Sequence, residues 1–282
     1  MGNLVTRFLG CIDHAIGACL FATLLVLAGC ATVPITGRSQ VNLFSDEEMV
    51  AIANDQFSQF MGFVTQEGAV LSETESPAAA AVLQGVGRIS DRIIEAAGLR
   101  DRYDWQTVVV NANQENAFVM PNGKIIVYTG ILPIAKTEAG LAAVTAHEVA
   151  HVVARHGAER ASQQSLAQGV LEVADAVLAG QGDQYRPWIG AALGLGAQYG
   201  VLLPFSREHE SEADHIGLLY MAKAGYDPAE AIGVWERMEA ASGSGRPEFL
   251  STHPSHATRR SQIQAWLPEA NVYYVDRTRA LP

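Results

Sequence analysis

The sequence predicts an α+β fold, mostly helical, with a small sheet set between helices. Three observations predict it. Apolar residues recur at helical spacing over residues 77–97 and again from Thr137. Between these stretches the pattern changes to short β-branched runs over residues 105–129. The three cysteines, Cys11, Cys19 and Cys30, all lie near the N-terminus. The rest of the chain therefore cannot rest on a disulfide or a thiolate metal site and needs a core, which a chain of this size can build.

Composition narrows the function classes. The net charge is −11, which argues against a nucleic-acid partner, since phosphate binding needs an excess of positive charge. Apolar residues make up 49% of the chain, too many for a disordered or low-complexity protein.

The elements follow in order. Residues 15–29 are apolar and uncharged, with Arg7 upstream. The run is shorter than the ~20 residues a bilayer span needs and suits the apolar part of a signal peptide. It ends Leu27-Ala28-Gly29-Cys30, which resembles the lipobox of bacterial lipoproteins, where cleavage precedes a cysteine that becomes acylated. Residues 1–29 then read as a lipoprotein signal peptide and residues 30–44 as a lipidated N-terminus and linker. Met1 to Thr6 also fits an N-myristoylation pattern, but an export segment behind it would be superfluous. Ser45 with Glu48 forms a capping box, opening a helix to about Phe60. Residues 61–76 read as loop. A second helix runs from Pro77 to about Ala97, with Gly98 just past its end. Residues 105–110, 117–120 and 124–129 read as strands, with Pro121-Asn122-Gly123 as a turn. Helix returns from Thr137 to about Arg155. Residues 180–204 carry no clear pattern. Ser206 caps a helix to Lys223, Asp227-Pro228 starts another to about Ala241, residues 242–245 form a loop, and a last helix spans about Pro254 to Leu267.

The chemistry lies at residues 147–151, His147-Glu148-Val149-Ala150-His151. On a helix, positions i and i+4 share a face, so both imidazoles reach one metal ion. Glu148 is displaced by about 100°, beside the metal, where it can take a proton from water activated by the ion. A catalytic zinc needs a third protein ligand. A histidine ten residues after the first would stand at position 157, which is Gly157, so that route fails. His156 reads instead as a helix-end residue. The acids of residues 206–214 supply the other route. Glu210 and Asp214 share a face; so do Glu208 and Glu212, and spacing alone does not choose between the pairs. In the first arrangement Glu210 binds metal and Asp214 accepts the other ring N–H of a ligand histidine.

The pairing of H-E-x-x-H with Ser206-Arg207-x-x-Glu210-x-x-Ala213-Asp214 resembles the zinc metalloendopeptidase family of the CAAX prenyl protease and HtpX. Its soluble periplasmic branch, typified by LoiP and BepA, is the more similar. Residues Asn116-Ala117-Phe118 through Leu132 mirror that branch's strand motif, and His253-Pro254 with Arg259 mirrors its later H-P motif. The resemblance covers roughly residues 40–267. It implies a zincin-like α+β fold over a metallopeptidase domain at 45–282, one Zn²⁺ per chain, His147, His151 and Glu210 as ligands, and Glu148 as general base. His253 is implied either as a cap on the open metal position or as an oxyanion donor. Strand 117–120 is implied to pair with an extended substrate through its main chain.

The function these readings imply is a zinc metalloendopeptidase of the bacterial cell envelope. It would act on misfolded or stalled envelope proteins as partners, with a lipid anchor in the membrane. The expected location is the periplasm, held to the outer membrane because Ala31 follows the cysteine. The alternative is a zinc-binding adaptor for outer-membrane protein assembly that cuts nothing, but a closed structural site has no need of Glu148.

Overall fold

The computed structural model describes residues 30–178, 206–241, 249–250, 253 and 258–275. Residues 1–29, expected as a signal peptide, residues 180–204 and the loop expected at 242–245 lie outside the described residues.

The first difference from expectation comes at residues 30–44. Instead of a linker, strand β1 (Cys30–Thr32) pairs antiparallel with β2 (Ser39–Val41), Cys30 opposite Val41. The Pro, Gly and Thr that resemble linker composition make the turn. Ile35 and Gly37 take positive φ of 74° and 70°, and Val33 N–H donates to Arg38 O at 2.8 Å. Helix α1 (Asp46–Gln66) starts at the capping box and runs past Phe60, so residues 61–66 are helix rather than loop. Burying Val64 repays the helix for carrying Gly62. Helix α2 (Pro77–Ala96) has Ser76 as N-cap, accepting from Ala79 N–H, and Pro77 at its first position. Gly98 follows with φ 69°.

The sheet has the order β3 (Gln106–Val110), β5 (Lys124–Tyr128), β4 (Ala117–Val119). β3 runs parallel to β5 and β4 antiparallel to it. Both faces are covered, and the side chains alternate between them as the strand period requires. Val109, Ile125 and Val127 belong to the main core, while Val108, Val110, Ile126 and Tyr128 meet the α1 residues Ala53 and Val64. β4 pairs with β5 alone among the described residues and so forms an edge.

After a helical turn at α3 (Leu132–Ala135) comes α4 (Glu138–Val153), capped by Thr137. It is buried along most of its length and packs on α2, β4 and the two later helices α6 (Arg207–Lys223) and α7 (Glu230–Ala241). The chain breaks direction at Arg155, φ 56°, and a further helix, α5 (His156–Leu178), begins at once. α8 (Arg259–Asn271) packs on α6 and α7. It extends past the expected end at Leu267. Gly217 of α6 lies against α4 so closely that a Cβ there would sit 3.0 Å from His147 N. The two helices that carry the candidate ligands thus meet nearly backbone to backbone. Among the described residues, no helix is long and apolar enough to cross a membrane. The α+β class, mostly helical with small sheets, holds.

Candidate metal centre

α4 brings His147 and His151 to one face, as their spacing requires, with Nε2 atoms 3.1 Å apart. α6 supplies Glu210 from across the helix contact. Its carboxylate lies 3.5 Å from both His147 Nε2 and His151 Nε2. His253 arrives from the end of the chain, held by its N–H to Phe249 O at 2.8 Å and stacked on the Phe249 ring at 4.4 Å. Its Nδ1 is 2.9 Å from Glu210 Oε1 and 3.3 Å from His147 Nε2. The four residues are buried, and one donor atom from each lies within 4.8 Å of the others.

The donor set fits a metal ion. Nitrogen and oxygen ligands about 2.0–2.1 Å from a tetrahedral zinc sit roughly 3.3 Å from one another. The close pairs here span 2.9–3.5 Å. Acceptor atoms crowded this way repel unless a proton or a cation lies among them. The electrostatics shows the same demand. Burial pulls His147 down, yet its bonds to Asp214 and Glu210 win and hold it at about 9. Burial drives His151 well below its usual value, which leaves a lone pair available. Glu210 would be raised by burial, but His253 and Arg259 hold it well below the carboxylate range.

Asp214, one turn beyond Glu210, has Oδ1 3.0 Å from His147 Nδ1. It therefore takes the ring N–H that points away from the other donors. Glu148 lies beside the cluster, with Oε1 3.4 Å from His253 Nε2 and accepting no hydrogen bond among the described residues. Burial raises its pKa. Of the strand residues, Ala117 packs in the main core. Phe118 turns its ring to Phe60 and Tyr128, at 6.0 and 6.4 Å, and stands opposite Ile126 of β5. Asn116 Oδ1 accepts from Ala117 N–H at 2.9 Å. Cys30 opens β1. An open pocket lies beside His151, walled by Met49, Tyr103, Val119, Pro121 and Val152 with Asp46 and Arg155.

Two features escape sequence reasoning. Arg259, matched only as part of the H-P motif, is 1% exposed and donates to Asp214 from Nε and from Nη2 at 2.8 Å. It lies 2.9 Å from Glu210 and 3.5 Å over the Trp235 ring. An arginine a few residues after His-Pro was the only signal. The other is His156. It is not a helix-end donor to free carbonyls but the buried first residue of α5, because Arg155 reverses the chain. Its Nδ1 is 2.8 Å from His151 Nδ1 and its Nε2 is 2.9 Å from Glu212 Oε2. Burial lowers its pKa to about 4, Glu212 notwithstanding. Glu212 thus stands outside the donor cluster, and Glu208 does not join it.

Comparison with known proteins gives one family. The profile of Peptidase family M48 matches residues 80–267. The mitochondrial metalloendopeptidase OMA1 of Schizosaccharomyces pombe is 39% identical over 85% of this chain and 67% of its own length. The human OMA1 metalloendopeptidase is 31% identical over 84% of this chain and 46% of its own. The beta-barrel assembly-enhancing protease of Escherichia coli (strain K12) is 30% identical over 54% of this chain and 32% of its own. The chain thus spans between about a third and two thirds of these relatives. The metallopeptidase reading is borne out. The bacterial periplasm is not: relatives of higher identity and wider coverage carry mitochondrial names. An apolar run ending in Gly-Cys records hydrophobicity and the placement of a thiol, neither of which encodes a compartment.

Proposed function

Since the chain belongs to peptidase family M48, we propose that it is a zinc-dependent endopeptidase and that His147, His151 and Glu210 hold the ion. The observation that carries this is the buried group of four donors with Glu148 beside it, its Oε1 facing His253 and holding no hydrogen bond among the described residues. Zinc held there polarises a peptide carbonyl and acidifies water. The protein does the rest. Glu148 Oε1 holds the attacking water and takes its proton, which the raised pKa favours. The same oxygen then delivers that proton to the departing amide nitrogen as the C–N bond breaks. Asp214 fixes the ring of His147 through Nδ1. The free edge of β4 accepts an extended segment, with little demand on its sequence. The pocket by His151 suits a bulky apolar side chain. Unfolded or misfolded chains meet both requirements. Lipid on Cys30 is the anchor this reading retains, and a Cys30→Ser chain that still takes palmitate label would remove it.

His253 is the fourth donor of the group and would fill the position a catalytic zinc leaves to water, acting as a cap that keeps the enzyme latent. The same closure is what the non-proteolytic adaptor reading requires. Casein cleavage separates the two. Activity that is lost on chelation, and lost in Glu148→Gln while about one zinc per chain remains, supports the peptidase. Undiminished cleavage by Glu148→Gln removes Glu148 as the base, and no cleavage by wild type or by His253→Ala favours the adaptor.

A further inference from the structure

A second buried cluster adjoins the metal centre on the side away from His253. Its members come from three separate parts of the chain. His156, Glu159 and His209 are buried, as is Glu212. Arg38, in the turn of the β1–β2 hairpin, closes the cluster like a fork. Its Nε donates to Glu212 Oε2 at 2.8 Å, and its Nη1 and Nη2 donate to Glu159 at 3.0 and 2.7 Å. Thr36 of the same turn donates to Glu212 Oε1. His209 Nε2 reaches Glu159 at 2.9 Å, and its ring stacks on His156 at 4.3 Å.

The hydrogen bonds allow one proton arrangement if His151 is to bind metal. A carboxylate held by a guanidinium only accepts, so His156 Nε2 carries the proton facing Glu212. Neutral His156 then presents a lone pair at Nδ1. His151 Nδ1, 2.8 Å away, must donate to it. That tautomer puts the lone pair of His151 on Nε2, the atom facing His147 and Glu210. Reversing any link puts a proton on Nε2 and turns a ligand into a donor.

The geometry points to Arg38 as a positioning residue for the metal: through Glu212 and His156 it fixes the tautomer and orientation of His151, so the N-terminal hairpin completes a metal centre it does not touch. This rests on the reading of His151 as a ligand and adds a source of affinity outside the helices that carry the ligands. Groups that orient a ligand histidine typically contribute ten- to a hundredfold in metal affinity.

The test is zinc affinity of the full chain, measured by competition with a chromophoric chelator at a temperature where circular dichroism shows each variant folded. Arg38→Gln and Glu212→Gln are expected to weaken zinc binding about ten- to a hundredfold. Arg38→Lys, which cannot span two carboxylates, should fall between them and wild type, and it decides the matter should Arg38→Gln not fold. Arg102→Gln removes an exposed pair with Asp46 and is expected to bind zinc as wild type does. Histidine ¹⁵N spectra of the zinc form should show His151 protonated at Nδ1 in wild type. Arg38→Lys and Glu212→Gln within twofold of wild type would overturn the proposal, provided His151→Ala loses zinc. Zinc binding by His151→Ala equal to wild type would instead overturn the reading of His151 as a ligand.

Discussion

Replacing Arg259 by methionine removes the positive charge that faces both Asp214 and Glu210 while keeping most of the stem that packs over Trp235. Asp214 and Glu210 are 6% and 0% exposed, so neither gains water in exchange. Breaking a buried ion pair by deleting one partner costs about 3–5 kcal/mol, because the survivor is left charged in a poor solvent. His147 still faces Asp214 and His253 still faces Glu210, which places the cost near the lower figure. For a chain of this size that is a fall in Tm of roughly 6–12 °C. The assay is thermal unfolding by circular dichroism at neutral pH, on chelated and zinc-loaded protein. The fall should be smaller in the zinc form, where the ion compensates Glu210. Asp214→Asn in the Arg259→Met background should recover part of the loss, since it removes one of the stranded charges. A fall below ~2 °C in chelated protein, or a double variant no more stable than the single, would refute the electrostatic account and leave Arg259 a packing residue.

Glu210→Ala should reduce bound zinc to well under one per chain, whereas Glu208→Ala should keep it; metal analysis after dialysis checks both. His253→Ala should raise basal casein cleavage and loosen zinc, and a fall in kcat with zinc content intact would make His253 an oxyanion donor instead of a cap. Val119→Pro removes the main-chain N–H that β4 turns away from β5 and should lower turnover of unfolded protein without changing zinc content; normal turnover would place the substrate elsewhere. Acid should destabilise the chain in two stages. Burial holds His156 at about 4 against an ordinary 6.5, so unfolding gains protons as pH falls through that window. Glu159 and Glu212 are held at about 2 against 4.5 despite their burial, by His209 and Arg38 and by His156, Thr36 and Arg38, so their contribution is complete above 4.5 and drains away toward 2. Urea midpoints that stay level from pH 7 to pH 4 would contradict this.

Local chemistry made much of the fold readable. Ser45 with Glu48, Pro77, and Pro121-Asn122-Gly123 act on backbone within a few residues, and the structure has helix starts or a turn at each. The i, i+4 spacing of His147 and His151 likewise fixes their shared face before any packing is known. What stayed hidden depends on partners distant in sequence. Arg38 reads as one charge in a Gly/Ser-containing stretch until it meets Glu159 and Glu212, 121 and 174 positions away. His156 looked like a helix end because nothing in its neighbours announces that Arg155 takes a positive φ. The choice among Glu208, Glu210 and Glu212 turned on which face of α6 meets α4, a matter decided by Gly217 lying against His147.

The donors of the centre are far apart along the chain: His147 and His253 are separated by 106 positions, and His253 and Glu210 by 43. No shorter stretch of the polypeptide contains the whole set. A chain still being made, or one partly unfolded, therefore presents two histidines on a helix and nothing able to cut. Hydrolytic capacity would arrive only when the tertiary structure closes, so a chain in the state that most resembles a substrate cannot itself cut its neighbours. An ion held by these donors would favour the folded chain, by about 1.4 kcal/mol for each tenfold excess of zinc over its dissociation constant. Starvation for metal would then act twice, on the reaction that needs the ion and on the lifetime of the protein that holds it.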